Sequence, residues 1–184
     1  VGWLYDTQED VLREAKRVSE ITHNHTEGIE SAQAVAMCIY LSRKKKSKEE
    51  IREYIEDRFK YDLSRTVDEV RDSYEYSELA IDTVIPSIIC FLDSNSFEDS
   101  IRNAVYLNGD ADTLGCITGS ISEAYYGLDI KLWEMAKEYL KEEIGECLIP
   151  FCKDFNIVSV YVRLTVGFVA VLFCKYSKIY HFCN

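Results

Sequence analysis

The run Asn108-Gly109-Asp110-Ala111-Asp112-Thr113-Leu114-Gly115 places two carboxylates and a hydroxyl within four residues, at the point where an apolar stretch turns into a new helical pattern. Carboxylate and hydroxyl oxygens are hard donors, and hard cations such as Mg²⁺ and Mn²⁺ take ligands of this kind. One short turn offers three such oxygens but not a whole octahedral shell, so a metal held here needs further ligands from elsewhere in the fold. An EF-hand type of calcium loop does not fit, because counting from Asp110 the twelfth position should be a glutamate and is Ile121. Two readings stay open. In one, Asp112 caps a helix that starts near Thr113, and Asp110 complements the helix dipole through space. In the other, Asp110, Asp112 and Thr113 hold a metal, and the small residues Gly109, Ala111, Gly115 and Gly119 let a ligand approach the backbone. The capping account explains one aspartate and leaves the second without a purpose.

These residues need elements to position them, and the apolar spacing supplies helices. Residues 7–21 carry Val11, Leu12, Ala15, Val18 and Ile21 on one stripe, whereas residues 29–42 are small and apolar on most sides, as a buried helix requires. Ser47-Lys48-Glu49-Glu50 and Thr66-Val67-Asp68-Glu69 both have the capping-box form and mark helix starts. Further helices are predicted at about 83–92, 97–107, 113–126 and 129–145. The class is therefore all-α. With 184 residues, 47% of them hydrophobic, one domain with a substantial core is expected.

Charge and cysteine usage narrow the function classes. Thirty-two acidic against 21 basic side chains give a net charge of -11, which opposes a non-specific nucleic-acid binder and favours a cationic partner or a bound metal. Seven cysteines show no C-x-x-C spacing, and Cys38, Cys90 and Cys116 sit inside apolar helical patterns, as reduced thiols of a cytoplasmic protein would. No secretory signal peptide is visible, and the first residue is Val1.

The last part of the chain is of another kind. Residues 153–184 are rich in Val, Phe and Tyr, have little helical amphipathicity and are net positive, whereas residues 1–152 carry all of the acidic excess. The stretch from Ile157 to Cys174 approaches the length of about 20 residues that crosses a bilayer, but Arg163 interrupts it at a cost of about 2.5–3.5 kcal/mol near the membrane centre. Strand-forming or poorly ordered appended sequence is the expectation for this tail.

The block "NGDADTLGCITGSISEAYYG" at 108–127, preceded by "FLDSNSFEDSIRNAVYL" at 91–107, closely resembles the C-terminal signature of the ADP-ribosylglycohydrolase family, of the dinitrogenase-reductase-activating glycohydrolase type. "VGWLYD" (1–6), "THNHTEGIESAQAVA" (22–36) and the stretch at 47–71 look like consecutive upstream blocks, so the resemblance covers roughly residues 1–150. It implies an orthogonal all-α bundle, a binuclear Mg²⁺ or Mn²⁺ centre, and hydrolysis of the glycosidic bond between ADP-ribose and a protein side chain or small acceptor. In that chemistry paired cations orient the ribose hydroxyls and polarise a water beside the anomeric carbon. Asp110, Asp112 and Thr113 match the family's C-terminal metal ligands, and His23 matches the histidine that lies along the bound ADP-ribose. His25 is read as structural, since a lone H-x-H is weak evidence for metal.

The resemblance also carries departures. Family members have, ahead of the segment that resembles "VGW", a half with a Thr-Asp-Asp metal motif, a catalytic acid and a Gly-rich phosphate loop, and none of these motifs occurs in this chain. Thr66-Val67-Asp68-Glu69 cannot replace the Thr-Asp-Asp motif, being already a capping box. The expectation is therefore a copy truncated at the N-terminus, inactive alone, that works with a complementing N-terminal half or self-associates through its uncovered core. The rival expectation is a non-catalytic interaction or structural protein derived from the family.

Overall fold

A computed structural model of the chain describes residues 1–75 and 77–128, together with 131, 132 and 135. These residues form seven helices and no strand: α1 (Gln8–Ser19), α2 (Thr26–Arg43), α3 (Lys48–Phe59), α4 (Val67–Arg71), α5 (Ala80–Leu92), α6 (Phe97–Tyr106) and α7 (Ala111–Tyr126). The all-α reading is met. Of the helix predicted at 129–145 only residues 131, 132 and 135 are described, and these are helical; the tail at 153–184, with the membrane-span reading of it, lies outside the described residues. Among the described residues no helix is long and apolar enough to cross a membrane.

The helices start in two ways. Thr7, Ser47, Thr66 and Ser96 each accept a hydrogen bond from the third amide of the helix that follows, which opens α1, α3, α4 and α6. Both capping boxes are present as the spacing predicts, with Glu50 and Glu69 reaching back to the amides of Ser47 and Thr66 at 2.8 Å. By contrast α2, α5 and α7 begin without a side-chain cap. Each of these three starts two or three residues before its predicted position, because the first turns are largely polar or small and carry no apolar period to read. Helix α1 stops at Ser19, two residues short of the expected end, and leaves Ile21 81% exposed.

Helix α2 is the centre of the bundle and packs against α1, α3, α5 and α7. Its buried Ser31, Ala34, Ala36 and Cys38 are small enough for neighbouring helices to approach closely, and Met37 fills the space between them. The fully buried Ile51, Ile55, Leu63, Ile88, Phe91, Leu114 and Ile121 join it in one core, each side chain contributing roughly 1.5–3 kcal/mol by leaving water. Pro86 lies inside α5 and has no amide for the carbonyl of Asp82, an exposed residue whose carbonyl water can reach. Beside it, Ser87 Oγ donates to the Thr83 carbonyl at 2.7 Å and Thr118 Oγ1 donates to the Ser87 carbonyl at 3.1 Å, tying α5 to α7.

One lysine fixes the direction of these helices. Lys48, at the start of α3, donates to the carbonyls of Leu92 and Ser94 and lies 5.3 Å from the ring centres of Phe91 and Tyr126. Since α2 ends only four residues before Ser47, the C-terminal ends of α2, α5 and α7 gather at one end of the bundle. All three are long and packed on one another, so their N-terminal ends gather at the other. That second end carries the Asp110 turn, the segment before α5, and the His23–His25 turn.

Candidate metal site

The turn between α6 and α7 is short and fixed at both sides. Leu107 is buried at the end of α6, Asn108 takes a left-handed backbone with φ of 58°, and Asp110 stands in the cap position of α7. Between them Gly109 faces the ring of Tyr74. A Cβ at residue 109 would lie 2.8 Å from Tyr74 Cζ and 2.9 Å from its hydroxyl oxygen, and closer still to Cε1. The ring of Tyr74 thus occupies the space that a side chain at residue 109 would take. Gly115 and Gly119 are likewise buried on α7, in the packed part of that helix.

Asp110, Asp112 and Thr113 come together in one cluster. Thr113 Oγ1 donates to Asp110 Oδ2 at 2.7 Å, and the Thr113 amide donates to Asp112 Oδ1 at 3.2 Å. The Asp112 carboxyl is near enough to share a hydrogen bond with Asp110 and pushes the Asp110 pKa above its ordinary value, with partial burial acting the same way. Donation from Thr113 opposes that rise without cancelling it. The structure also changes the capping account of these residues. The helix begins at Ala111, so Asp112 is inside its first turn, and Asp110 in the cap position caps no amide with its side chain.

Two half-buried carboxylates held against each other repel at neutral pH, and the positive end of α7 offsets only part of that cost. A divalent cation between them would convert repulsion to attraction. The donor set of two carboxylates and a hydroxyl thus fits a hard ion of the Mg²⁺ or Mn²⁺ kind. It is an incomplete set: among the described residues no group of three or more His, Cys, Asp and Glu side chains is placed to hold a metal ion.

His23 is exposed in the turn between α1 and α2, at the same end of the bundle as the acidic cluster. Its Nδ1 is 2.8 Å from Thr22 Oγ1, and Gly28 lies close to its Cβ and carbonyl. His25 occupies the cap position of α2, with Nδ1 3.8 Å from Glu27. Sequence reasoning missed the residues that flank the acidic turn. Tyr74 covers Gly109, and the Arg71 guanidinium stacks on the ring of Tyr106 at 3.8 Å. No local spacing joins 71–74 to 106–109, and the single hint was a glycine directly before a carboxylate.

Away from this end, a shallow open depression at the head of α6 is lined by Asn95, Ser96, Glu98, Asp99 and Arg102, with Arg102 paired to Glu98 at 2.6 Å. Cys38 and Cys90 are buried free thiols whose pKa burial pushes well up, so they are inert core residues.

Comparison with known proteins gives one match. A sequence model of the family described as ADP-ribosylglycohydrolase matches residues 1–160. No curated protein and no solved structure matches the chain.

Proposed function

The chain belongs to the ADP-ribosylglycohydrolase family, and from that membership we propose that Asp110, Asp112 and Thr113 form one wall of a two-metal site that cleaves the glycosidic bond of ADP-ribosylated substrates. The observation that carries this reading is the pair Asp110 and Asp112, brought carboxyl to carboxyl at the head of α7 with the Thr113 hydroxyl on Asp110. Here the Thr113 hydroxyl supports the pair, as a third oxygen of the same set.

In this reading Mg²⁺ or Mn²⁺ supplies charge that stabilises the breaking bond and lowers the pKa of a water. The chain's own residues bind and orient: Asp110 and Asp112 hold the cations by charge, Thr113 fixes the rotamer of Asp110, and His23 lies along the ADP-ribosyl group. The substrate is an ADP-ribosylated protein or a small ADP-ribosyl compound. The remaining ligands come from a segment bearing the family's Thr-Asp-Asp motif, so residues 1–184 alone bind metal weakly and turn over nothing. Free thiols at Cys38, Cys90 and Cys116 fit a reducing, cytoplasmic setting.

The test mixes the chain with a separately produced segment that carries the Thr-Asp-Asp motif and follows release of ADP-ribose in Mg²⁺ or Mn²⁺. Turnover in the mixture that Asp110→Ala abolishes is the expected result. Robust turnover by residues 1–184 alone would overturn the need for complementation. Association without turnover would favour a family member that has left catalysis and acts as an interaction protein.

A further inference from the structure

The acidic turn is held from outside by a second turn, and the two meet at matched positions. Arg71 ends α4 and Tyr74 follows three residues on; Tyr106 ends α6 and Gly109 follows three residues on. Arg71 stacks on Tyr106 at 3.8 Å, and Tyr74 occupies the space that a side chain on Gly109 would need. The turn that presents these side chains is itself braced. Its amides run Ser73 to the Val70 carbonyl at 3.1 Å and Tyr74 to the Arg71 carbonyl at 3.3 Å, and Arg65 donates to Ser73 Oγ at 2.6 Å. Val67 and Val70 are buried beneath it.

We propose that Tyr74 is a positioning residue for the metal-ligand turn, its ring fixing the backbone from which Asp110 leaves, with the Arg71–Tyr106 stack as the second point of the clamp. This rests on the reading of Asp110, Asp112 and Thr113 as metal ligands. The physical reason is one of placement. The backbone of the turn is tied at its two ends, by the Asn108 amide to the Val105 carbonyl at 3.1 Å and by the Leu114 amide to the Asp110 carbonyl at 2.9 Å, and between them Asn108 is left-handed and Gly109 brings no side chain of its own to hold the course. A flat ring against Gly109 removes one direction of movement, and metal sites lose affinity when such outer supports are removed.

The test uses the full chain and five variants, Tyr74→Phe, Tyr74→Ala, Gly109→Ala, the Gly109→Ala/Tyr74→Ala pair and Asp110→Ala. Amide hydrogen exchange at residues 110–113, Mn²⁺ affinity by calorimetry and thermal unfolding are read for each. Tyr74→Ala is expected to lose protection at residues 110–113 while α2 keeps its own, and to weaken Mn²⁺ binding roughly tenfold. Tyr74→Phe, which keeps the ring, should match the parent in both. Gly109→Ala should disturb the turn in the parent but much less in the Tyr74→Ala background, where the added methyl finds room. Because Gly109→Ala leaves Tyr74 in place, the test does not depend on Tyr74→Ala folding well. Unchanged protection in Tyr74→Ala, or equal damage by Gly109→Ala in both backgrounds, would overturn the proposal. Parent and Asp110→Ala binding Mn²⁺ equally would sink the metal reading instead, with the exchange data still deciding the role of Tyr74.

Discussion

Thr113 donates its hydroxyl to Asp110 Oδ2 at 2.7 Å, so the carboxylate in the cap position of α7 serves a side chain three residues on and leaves the free amides of its helix to other partners. Thr7, Ser47, Thr66 and Ser96 do the opposite in α1, α3, α4 and α6, each accepting from an amide. Asp110 thus accepts its closest hydrogen bond from a side chain where those four accept theirs from an amide, and on the proposed function that suits it to binding.

A stability comparison should expose that separation. Thr66→Ala removes a formed cap and is expected to cost about 1 kcal/mol, within the usual 0.5–2 range. Asp110→Asn in metal-free buffer is expected to cost less, since it removes no cap and relieves repulsion with Asp112. Urea unfolding of both variants checks this. Asp110→Asn should nonetheless remove Mn²⁺ binding, and Thr113→Ala should weaken it. If Asp110→Asn destabilises as much as Thr66→Ala, Asp110 is a structural residue.

Lys48 predicts a larger effect from one exposed-looking charge. No basic residue stands in the last turn of α5, and the Lys48 ammonium supplies that cation from α3 by donating to the Leu92 and Ser94 carbonyls over the ring of Phe91. Lys48→Met keeps the apolar stem and removes the ammonium. A loss of about 2 kcal/mol is expected, from charged hydrogen bonds of roughly 1.5–3 and a cation–π contact of roughly 0.5–1 that are only partly additive. Lys45→Met, which removes an exposed charge in the turn between α2 and α3, is the control and should be near neutral.

Acid should weaken the protein through its capping boxes. Glu50 is held below its ordinary pKa first by Lys46 and then by the Ser47 amide, and Glu69 first by the Thr66 amide. A carboxylate with a depressed folded-state pKa contributes stability that is present above the unfolded value, about 4.3, and is lost as pH falls through the folded value. The stability difference between the parent and a Glu50→Gln/Glu69→Gln variant should therefore be constant near neutral pH and shrink in acid below that unfolded value. Urea unfolding at a series of pH values measures it. A difference that grows in acid would show that these boxes have the opposite linkage.

Local features were legible in the sequence and remote ones were not. The boxes at Ser47 and Thr66 need four consecutive residues, so the spacing located them. The heads of α2, α5 and α7 were placed too late because nothing caps them and their first turns lack an apolar stripe. In the site, the donor types of Asp110, Asp112 and Thr113 were readable, whereas His23 came from family resemblance and its own residues carry little signal. The contact of Gly109 was not legible, since the ring beside it comes from Tyr74, across two intervening helices.

The apolar stripe of α1 outlasts its cover, and that gives the last prediction. Val11 and Ala15 are buried, but Val18, one turn further on the same face, is 62% exposed, and Ile21 follows at 81%. Both lie toward the end of the bundle that carries His23 and Asp110, where, on the proposed function, a segment completing the metal site would dock. Val18→Lys/Ile21→Lys places charge that suits the C-terminal end of α1, so the fold should be kept, with a change of no more than about 0.5 kcal/mol. Sedimentation should show less self-association of the variant, and the complementation assay should need a higher concentration of the Thr-Asp-Asp segment. Unchanged association in both experiments would show that these two residues are ordinary exposed side chains and that any completing segment docks elsewhere.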